Sequence, residues 1–427
     1  MLIRFAVENF RSINEPVELS MVALDANREG PRPSESLNAS LLSVVGIFGP
    51  NASGKSNILA AIEWLRRAVT TSLRSWDEAI PVPNFAFGKD GSRPTKFWVE
   101  YLIEDIRFEY QLELDSTSVK YEGLFHYPAG RRRRLFERSD MELKLQDGLG
   151  ELSGARKLLT ETALVLSIVR LFKEPLTRSF TRQVFNTSSK GLHSKTGMMR
   201  EFGMGTFGSS APLWFDMPEV TMSTDAEDDD QSAELPVNNK REQGLALLKM
   251  ADLGIVDVIR REDESSIADQ RNRKVTMLVH NADGGRYPLD MMAESAGTQT
   301  WFRLVGPLLQ TLERGGVLVV DEIDASLHPK LSAEILGIFS NPRTNPNNAQ
   351  LIFTSHDASL LARLNRDEIW LTEKDDSGAT SLTPLTDYNG DRVRKSQNLE
   401  KGYLEGRFGG VPDIDMVGVY RALGLIG

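Results

Sequence analysis

Eight consecutive residues, Gly49, Pro50, Asn51, Ala52, Ser53, Gly54, Lys55 and Ser56, fill every fixed position of the pattern G-x-x-x-x-G-K-[ST]. The chemistry of such a loop is the gripping of phosphate. Its glycines let backbone N–H groups curl around an anion, and the positive end of a following helix faces the same charge. Lys55 would neutralise the β- and γ-phosphates of ATP, the Ser56 hydroxyl would hold magnesium, and Asn57 joins the nucleotide-contacting set. Far downstream, Asp321 and Glu322 close the apolar run Val317 to Val320. Asp321 would bind magnesium through water, and Glu322 would polarise the attacking water. His356 directly follows a second apolar strand, Gln350 to Ser355, and would reach a γ-phosphate. Ser295, Gly297 and Gln299 stand just ahead of the helical run from Trp301 to Leu309, a second helix N-terminus suited to phosphate.

The elements that must position these residues follow from the flanks. Leu41 to Phe48 is a short apolar run of the kind that forms a buried parallel strand. Ser56 to Leu65 places apolar residues at helical spacing, so strand, glycine-rich turn and helix surround the loop. Runs of strand character also end at Asp321 and at His356. The first half of the site therefore lies near residue 50 and the second begins near 295, with something inserted between them.

In order and spacing, these elements resemble the heads of ATP-binding-cassette (ABC) ATPases. The Ser326-Leu327-His328 turn belongs to the same motif order, the opening Asn9, Phe10, Arg11 and Ser12 resembles the soluble branch of chromosome-maintenance and RecF-like ATPases, and the closing segment Tyr403 to Pro412 resembles that of its OLD-like subgroup. Within that branch, the chain is most similar to the OLD-like bacterial ATPases of abortive infection, a group with the ATPase subunits of PARIS anti-phage systems. His328 stands where transporter heads have aspartate, and no Q-loop glutamine stands out between residues 66 and 115.

The resemblance implies an α/β fold: a P-loop core with an antiparallel β-subdomain, split by a mainly helical insertion. It further implies a homodimer or higher homo-oligomer packed head to tail, in which the loop of one copy and Ser295, Gly297 and Gln299 of another sandwich each ATP. Arg11 and Ser12 would flank the nucleotide. A separate effector protein, such as a Toprim-type nuclease or a toxin, and a phage-derived trigger are the implied partners. The alternative is a RecF-like DNA-maintenance ATPase.

Between the two halves, Lys96 to Ile103, Ile106 to Leu114 and Tyr121 to Phe136 alternate as antiparallel strands do. From 151 to 190 the pattern turns helical, with Ala163 to Phe172 the strongest stretch, and 187 to 240 reads as loop, the expected place of partner recognition. A helix near Glu242 to Asp252 and strands at Val275 to His280 and Arg286 to Leu289 lead into the second half. Three units are expected: 1–150, an N-terminal ATPase lobe; 151–255, the insertion; and 256–427, the C-terminal lobe.

Composition fits a cytoplasmic enzyme. Cysteine is absent, which excludes disulfides and thiolate metal sites, and the five histidines show no ligand spacing, leaving magnesium as the expected metal. No stretch approaches the roughly 20 apolar residues of a membrane span. A net charge of −10 does not favour DNA binding by the global field. Arg131 to Arg134 could still grip nucleic acid locally, although Pro128, Ala129 and Gly130 ahead of them point to a hairpin tip. The acidic run Asp225 to Asp230 reads as a solvated loop.

Overall fold

The computed structural model describes residues 1–88, 93–146, 149, 152, 154–191, 237–262, 274–388, 399–409 and 416–425. The N-terminal part contains β1 (Leu2–Glu8), β2 (Val17–Ser20), β3 (Arg32–Ser34), β4 (Ala39–Leu41), β5 (Val44–Phe48) and α1 (Lys55–Ser75). Then come β6 (Thr95–Ile103), β7 (Ile106–Leu114), β8 (Val119–His126), β9 (Arg133–Ser139) and β10 (Glu142–Leu145). Three short helices, α2 (Ala155–Leu158), α3 (Val165–Val169) and α4 (Pro175–Phe185), precede β11 (Thr187–Lys190). The remainder is α5 (Val237–Ala251), β12 (Ile255–Glu262), β13 (Lys274–Ala282), β14 (Gly285–Asp290), α6 (Ala296–Arg314), β15 (Val317–Val320), α7 (Pro329–Ser340), β16 (Gln350–Thr354), β17 (Ile369–Lys374), β18 (Thr380–Pro384), α8 (Leu399–Leu404) and α9 (Met416–Ala422).

A six-stranded sheet in the order β11-β15-β16-β5-β17-β18 is the centre of the molecule. Every pairing is parallel except β17 with β18. Its central strands β15, β16 and β5 are buried along their whole length and mainly apolar, because both faces are covered. Val45 and Ile47 of β5 point into one core cluster with Ile58, Leu59 and Ile62 of α1. Val44 and Phe48 point the other way, into a second cluster with Trp301, Phe302 and Val305 of α6 and Ile335 and Phe339 of α7. That period-two split of one strand across two layers makes it a central strand.

The antiparallel strands expected from the alternation form one seven-stranded sheet, β10-β9-β8-β7-β6-β1-β2. It shares its core with α1 through Phe10, Trp64 and Phe97, and the Trp64 and Phe97 rings stack at 5.0 Å. Gln350 joins the two sheets: its amide nitrogen donates to Leu2 O at 3.0 Å and Leu42 O at 2.9 Å, and its oxygen accepts from Leu2 N.

The described residues of the span 151–255 are mainly helical, with two local differences from the sequence reading. The run Ala163 to Phe172 yields only the five-residue α3, all of it buried. Its apolar residues point in every direction, so it plugs the first core rather than lying on it as an amphipathic helix. Glu122 of β8 holds its start, accepting from Val165 N at 2.6 Å and Leu166 N at 3.0 Å. Thr187 to Lys190, placed by the sequence in a loop, is instead a strand paired with Val317 to Val320. It is a short polar edge strand with three half-buried residues, so no apolar alternation marked it. Downstream, α5 serves the second half of the site: Leu247 O accepts from Trp301 Nε1 of α6 at 2.7 Å. The acidic run Asp225 to Asp230, nearly all of the expected recognition loop, and Gly410, Val411 and Pro412 lie outside the described residues.

The arginine run sits at the β8–β9 tip, as the hairpin reading expected. Arg132 pairs with Glu109 at 3.0 Å and covers the Phe125 ring, and Arg134 pairs with Glu137 at 3.2 Å. Among the described residues, no helix is long and apolar enough to cross a membrane.

Candidate nucleotide site

Parallel strands deliver their ligand-facing residues at their carboxyl ends. Here β5 ends at the phosphate loop, β15 at Asp321, and β16 at Thr354, followed by His356. These strands are neighbours in register, with Val320 beside Phe353 and Phe353 beside Gly46. The distant halves of the sequence pattern therefore meet at one edge of the sheet.

The loop is shaped for an anion. Gly49 and Gly54 have φ of 152° and 105°, and a side chain at either would strike Thr372 or Thr380. Both threonines brace the loop from beneath. Thr372 Oγ1 lies 2.6 Å from Ser53 Oγ, and Thr380 Oγ1 donates to Ser53 O at 2.8 Å. The Lys55 ammonium is buried and donates to Gly49 O at 2.8 Å and Pro50 O at 3.0 Å. Desolvation pushes its pKa down to about 8, against the pull of Asp321, Glu322 and Asp324. A buried cation lowered in this way is short of negative charge, which the phosphates of ATP would supply.

Asp321 is buried and fixed on three sides. Its Oδ1 accepts from Ser56 Oγ at 2.9 Å and Thr354 Oγ1 at 2.6 Å, and its backbone N donates to Lys190 O at 2.9 Å. Ser56 and Asp321 thus offer a hydroxyl and a carboxylate to a cation. Among the described residues, no three acidic or histidine side chains group as a full metal cage. Magnesium takes one or two carboxylates and completes its shell with water and substrate phosphates, and the Ser56 hydroxyl with the Asp321 carboxylate is a set of that kind. ATP with Mg2+ fits these residues.

Glu322 turns outward from the strand in a left-handed conformation, φ 52°, its backbone N held by Thr354 Oγ1 at 2.7 Å. Its carboxylate is about half exposed and lies 3.8 Å from His356 Nε2. The opposite ring nitrogen of His356 is 3.5 Å from Lys55 Nζ. His356 N is also 3.4 Å from both oxygens of Asp324. Lysine, histidine and glutamate thus line the space where a terminal phosphate and its attacking water would sit.

Arg11 and Ser12 reach the loop from the N-terminal turn. Ser12 Oγ accepts from Asn57 Nδ2 at 2.7 Å and meets Thr380 Oγ1 at 2.7 Å, and Arg11 Nη1 is 3.4 Å from Asn57 Oδ1. Pro50 is half-buried, and Asn51 and Ala52 form the exposed crest.

The second phosphate-suited turn stands apart. Ser295 caps α6 by accepting from Thr298 N at 3.1 Å, and Gln299 Nε2 donates to Glu294 O at 3.0 Å. A side chain at Gly297 would press on Ser326 O, so the turn is packed on its own chain's Ser326-Leu327-His328 segment. Glu294 is in turn 2.6 Å from His280 Nε2 of β13. Among the described residues, no hydrogen bond or ion pair joins Ser295, Gly297 or Gln299 to Lys55, Ser56 or Asp321, and Ser295 is exposed.

Sequence reasoning missed Thr354, Thr372, Thr380, Asp324 and Lys190. Only Thr354 had a usable signal: it is the polar end of an apolar strand, one residue past the Val320–Phe353 pair and so level with Asp321.

A family profile described as "AAA domain, putative AbiEii toxin, Type IV TA system" matches residues 44–162 and 213–362. Three solved structures are also similar. The SMC head domain from Thermotoga maritima is 13% identical, with 90% of this chain and 98% of that chain covered at a TM-score of 0.39. An SmcHead bound to the C-winged helix domain of ScpA is 13% identical, covering 90% and 97%, with a TM-score of 0.45. An Smc head domain with an extended coiled coil, bound to the C-terminal domain of ScpA derived from Pyrococcus furiosus, is 12% identical, covering 90% and 95%, with a TM-score of 0.43. The sheet topology and the site geometry, rather than these alignments, carry the fold described above.

Proposed function

The chain belongs to the AAA-domain family whose profile spans both halves of its site, and on that premise we propose that it is an ABC-type ATPase acting as a switch in bacterial anti-phage defence. One observation carries the ATPase reading: Lys55, Ser56, Asp321, Glu322 and His356, from three separate strand ends, converge on one space. Lys55 and the loop amides hold the triphosphate, and Ser56 and Asp321 present oxygens to magnesium. Glu322 takes up the proton of the attacking water, and His356 steadies the terminal phosphate between Lys55 and Glu322.

The exposed Ser295 turn, which shares no bond with the loop of its own chain, supports a site completed by a second copy. Two chains packed head to tail would set Ser295, Gly297 and Gln299 against the partner copy's ATP. Binding then closes the homo-oligomer and hydrolysis resets it.

The defence role rests on the OLD-like and PARIS-like sequence resemblance and on a family description that reads "putative AbiEii toxin, Type IV TA system". In this reading a separate effector, a Toprim-type nuclease or a toxin, is released or activated by the switch after a phage-derived trigger. The RecF-like alternative draws least support from the arginine run, because Arg132 and Arg134 are already paired with Glu109 and Glu137. The test is phage challenge of cells carrying the gene with its neighbours, with wild type beside Lys55→Ala. Protection lost in the variant supports the role; protection unchanged contradicts it. DNA-stimulated hydrolysis that disappears when the arginines are neutralised would favour the alternative.

A further inference from the structure

Beside the phosphate loop stands an aromatic ring that no motif accounts for. Phe87 is 61% exposed, although its segment is tied to the site. Ala86 N donates to Arg11 O at 2.7 Å and Arg11 N to Pro83 O at 2.8 Å, while Arg11 Nη1 is 3.4 Å from Asn57 Oδ1 in the first turn of α1. The ring meets Phe85 edge to face at 5.8 Å and lies against the Gly378 turn, where a Cβ would come within 2.8 Å of it. Lys374 Nζ is 5.5 Å from the ring centroid. One side of the ring is thus buttressed by protein and the other is open.

Strand geometry sets its distance from the phosphates. Thr372 and Lys374 share a face of β17, because alternate residues of a strand do, and lie about 6.7 Å apart along it. Thr372 touches Ser53 of the loop at 2.6 Å, so Lys374 and the ring beside it stand one pleat further out on the same face. From β18, Thr380 touches Ser53 O at 2.8 Å, two residues beyond the Gly378 turn that supports the ring. A triphosphate gripped by Lys55 would carry its base outward from the loop.

We propose that Phe87 is the platform on which the nucleobase of the bound nucleotide stacks. The inference rests on the nucleotide reading above and adds its base subsite. Stacking uses the π-face that every base has, so the platform favours purines over pyrimidines without separating adenine from guanine.

The test compares two magnesium-loaded probes on the full chain: adenylyl imidodiphosphate, which has a base, and inorganic tripolyphosphate, which has none. Phe87→Ala is expected to weaken the first about tenfold, as loss of one base–aromatic stack does, and to leave the second unchanged. Phe87→Trp should restore or tighten binding of the first alone. If both probes weaken together in Phe87→Ala, or neither weakens, the platform is refuted. It is also refuted if the variant only lowers nucleotide-dependent self-association, since the ring would then be an interface residue. Failure of wild type to bind either probe would instead overturn the nucleotide reading itself.

Discussion

ATP affinity should depend on pH through Lys55. In the ligand-free protein this ammonium titrates at about 8, because burial removes water that the nearby carboxylates do not fully replace. Binding a polyphosphate favours the charged form and raises the pKa above that value, so at alkaline pH the protein must take up a proton in order to bind. The sign follows: affinity is full below pH 8 and falls as the pH rises through it. The apparent dissociation constant scales inversely with the fraction of lysine still protonated, a factor of about 1.1 at pH 7 and about 11 at pH 9, so affinity should drop about tenfold between them. Titration calorimetry with Mg2+ and adenylyl imidodiphosphate at half-unit steps would read it, together with a buffer-dependent enthalpy that reports proton uptake near pH 8. Lys55→Arg keeps its charge throughout and should lose the slope even if it binds more weakly. A flat wild-type profile from pH 7 to 9, or the same slope in Lys55→Arg, would refute the reasoning.

Three further expectations concern other links in the chain from fold to chemistry. Glu322→Gln should keep ATP binding while turnover falls by roughly a hundredfold or more, as when a contact made only in the transition state is lost; single-turnover assays check it. Thr354→Val removes the hydroxyl that serves both Asp321 Oδ1 and Glu322 N, so kcat should fall about tenfold with little change in nucleotide affinity, and stability should drop by about 1–3 kcal/mol. Glu122→Ala strips the acceptor from two buried N–H groups at the start of α3 and should cost about 2–4 kcal/mol in chemical denaturation, while Glu122→Gln should cost less.

The phosphate loop, the acidic pair and the histidine were legible in sequence because each is a polar cluster fixed to the end of an apolar strand, and such strands converge in a parallel sheet. The alternating strands from Lys96 onward were legible for a similar reason: half-buried antiparallel strands record their two faces in the residue pattern. What escaped was held by tertiary structure. Thr372 and Thr380 read as ordinary strand residues, since β-branching explains them without any loop to brace. Glu322, Ser326 and Arg11 adopt positive φ without being glycine, a conformation set by the bonds around them and not by their own preference. Strand β11 was missed because the sheet edge leaves it mostly polar, and its Lys190 carbonyl matters only once Asp321 lies beside it.

Deleting the whole stretch 187–240 would remove that strand along with the expected recognition segment. A deletion confined to 192–236 keeps Lys190 and is the variant that separates partner binding from assembly of the site.

The central claim is that two copies of the chain build each ATP site, and mixing two crippled variants tests it most directly. Lys55→Ala lacks a working phosphate loop and Ser295→Arg lacks a working second turn, so each alone should be nearly inactive. In a mixed dimer, the intact loop of one copy faces the intact turn of the other at one of the two sites. Mixing the purified variants should therefore restore ATP hydrolysis to a substantial fraction of the wild-type rate. No recovery on mixing, in a preparation where mixed dimers are shown to form, would contradict the account.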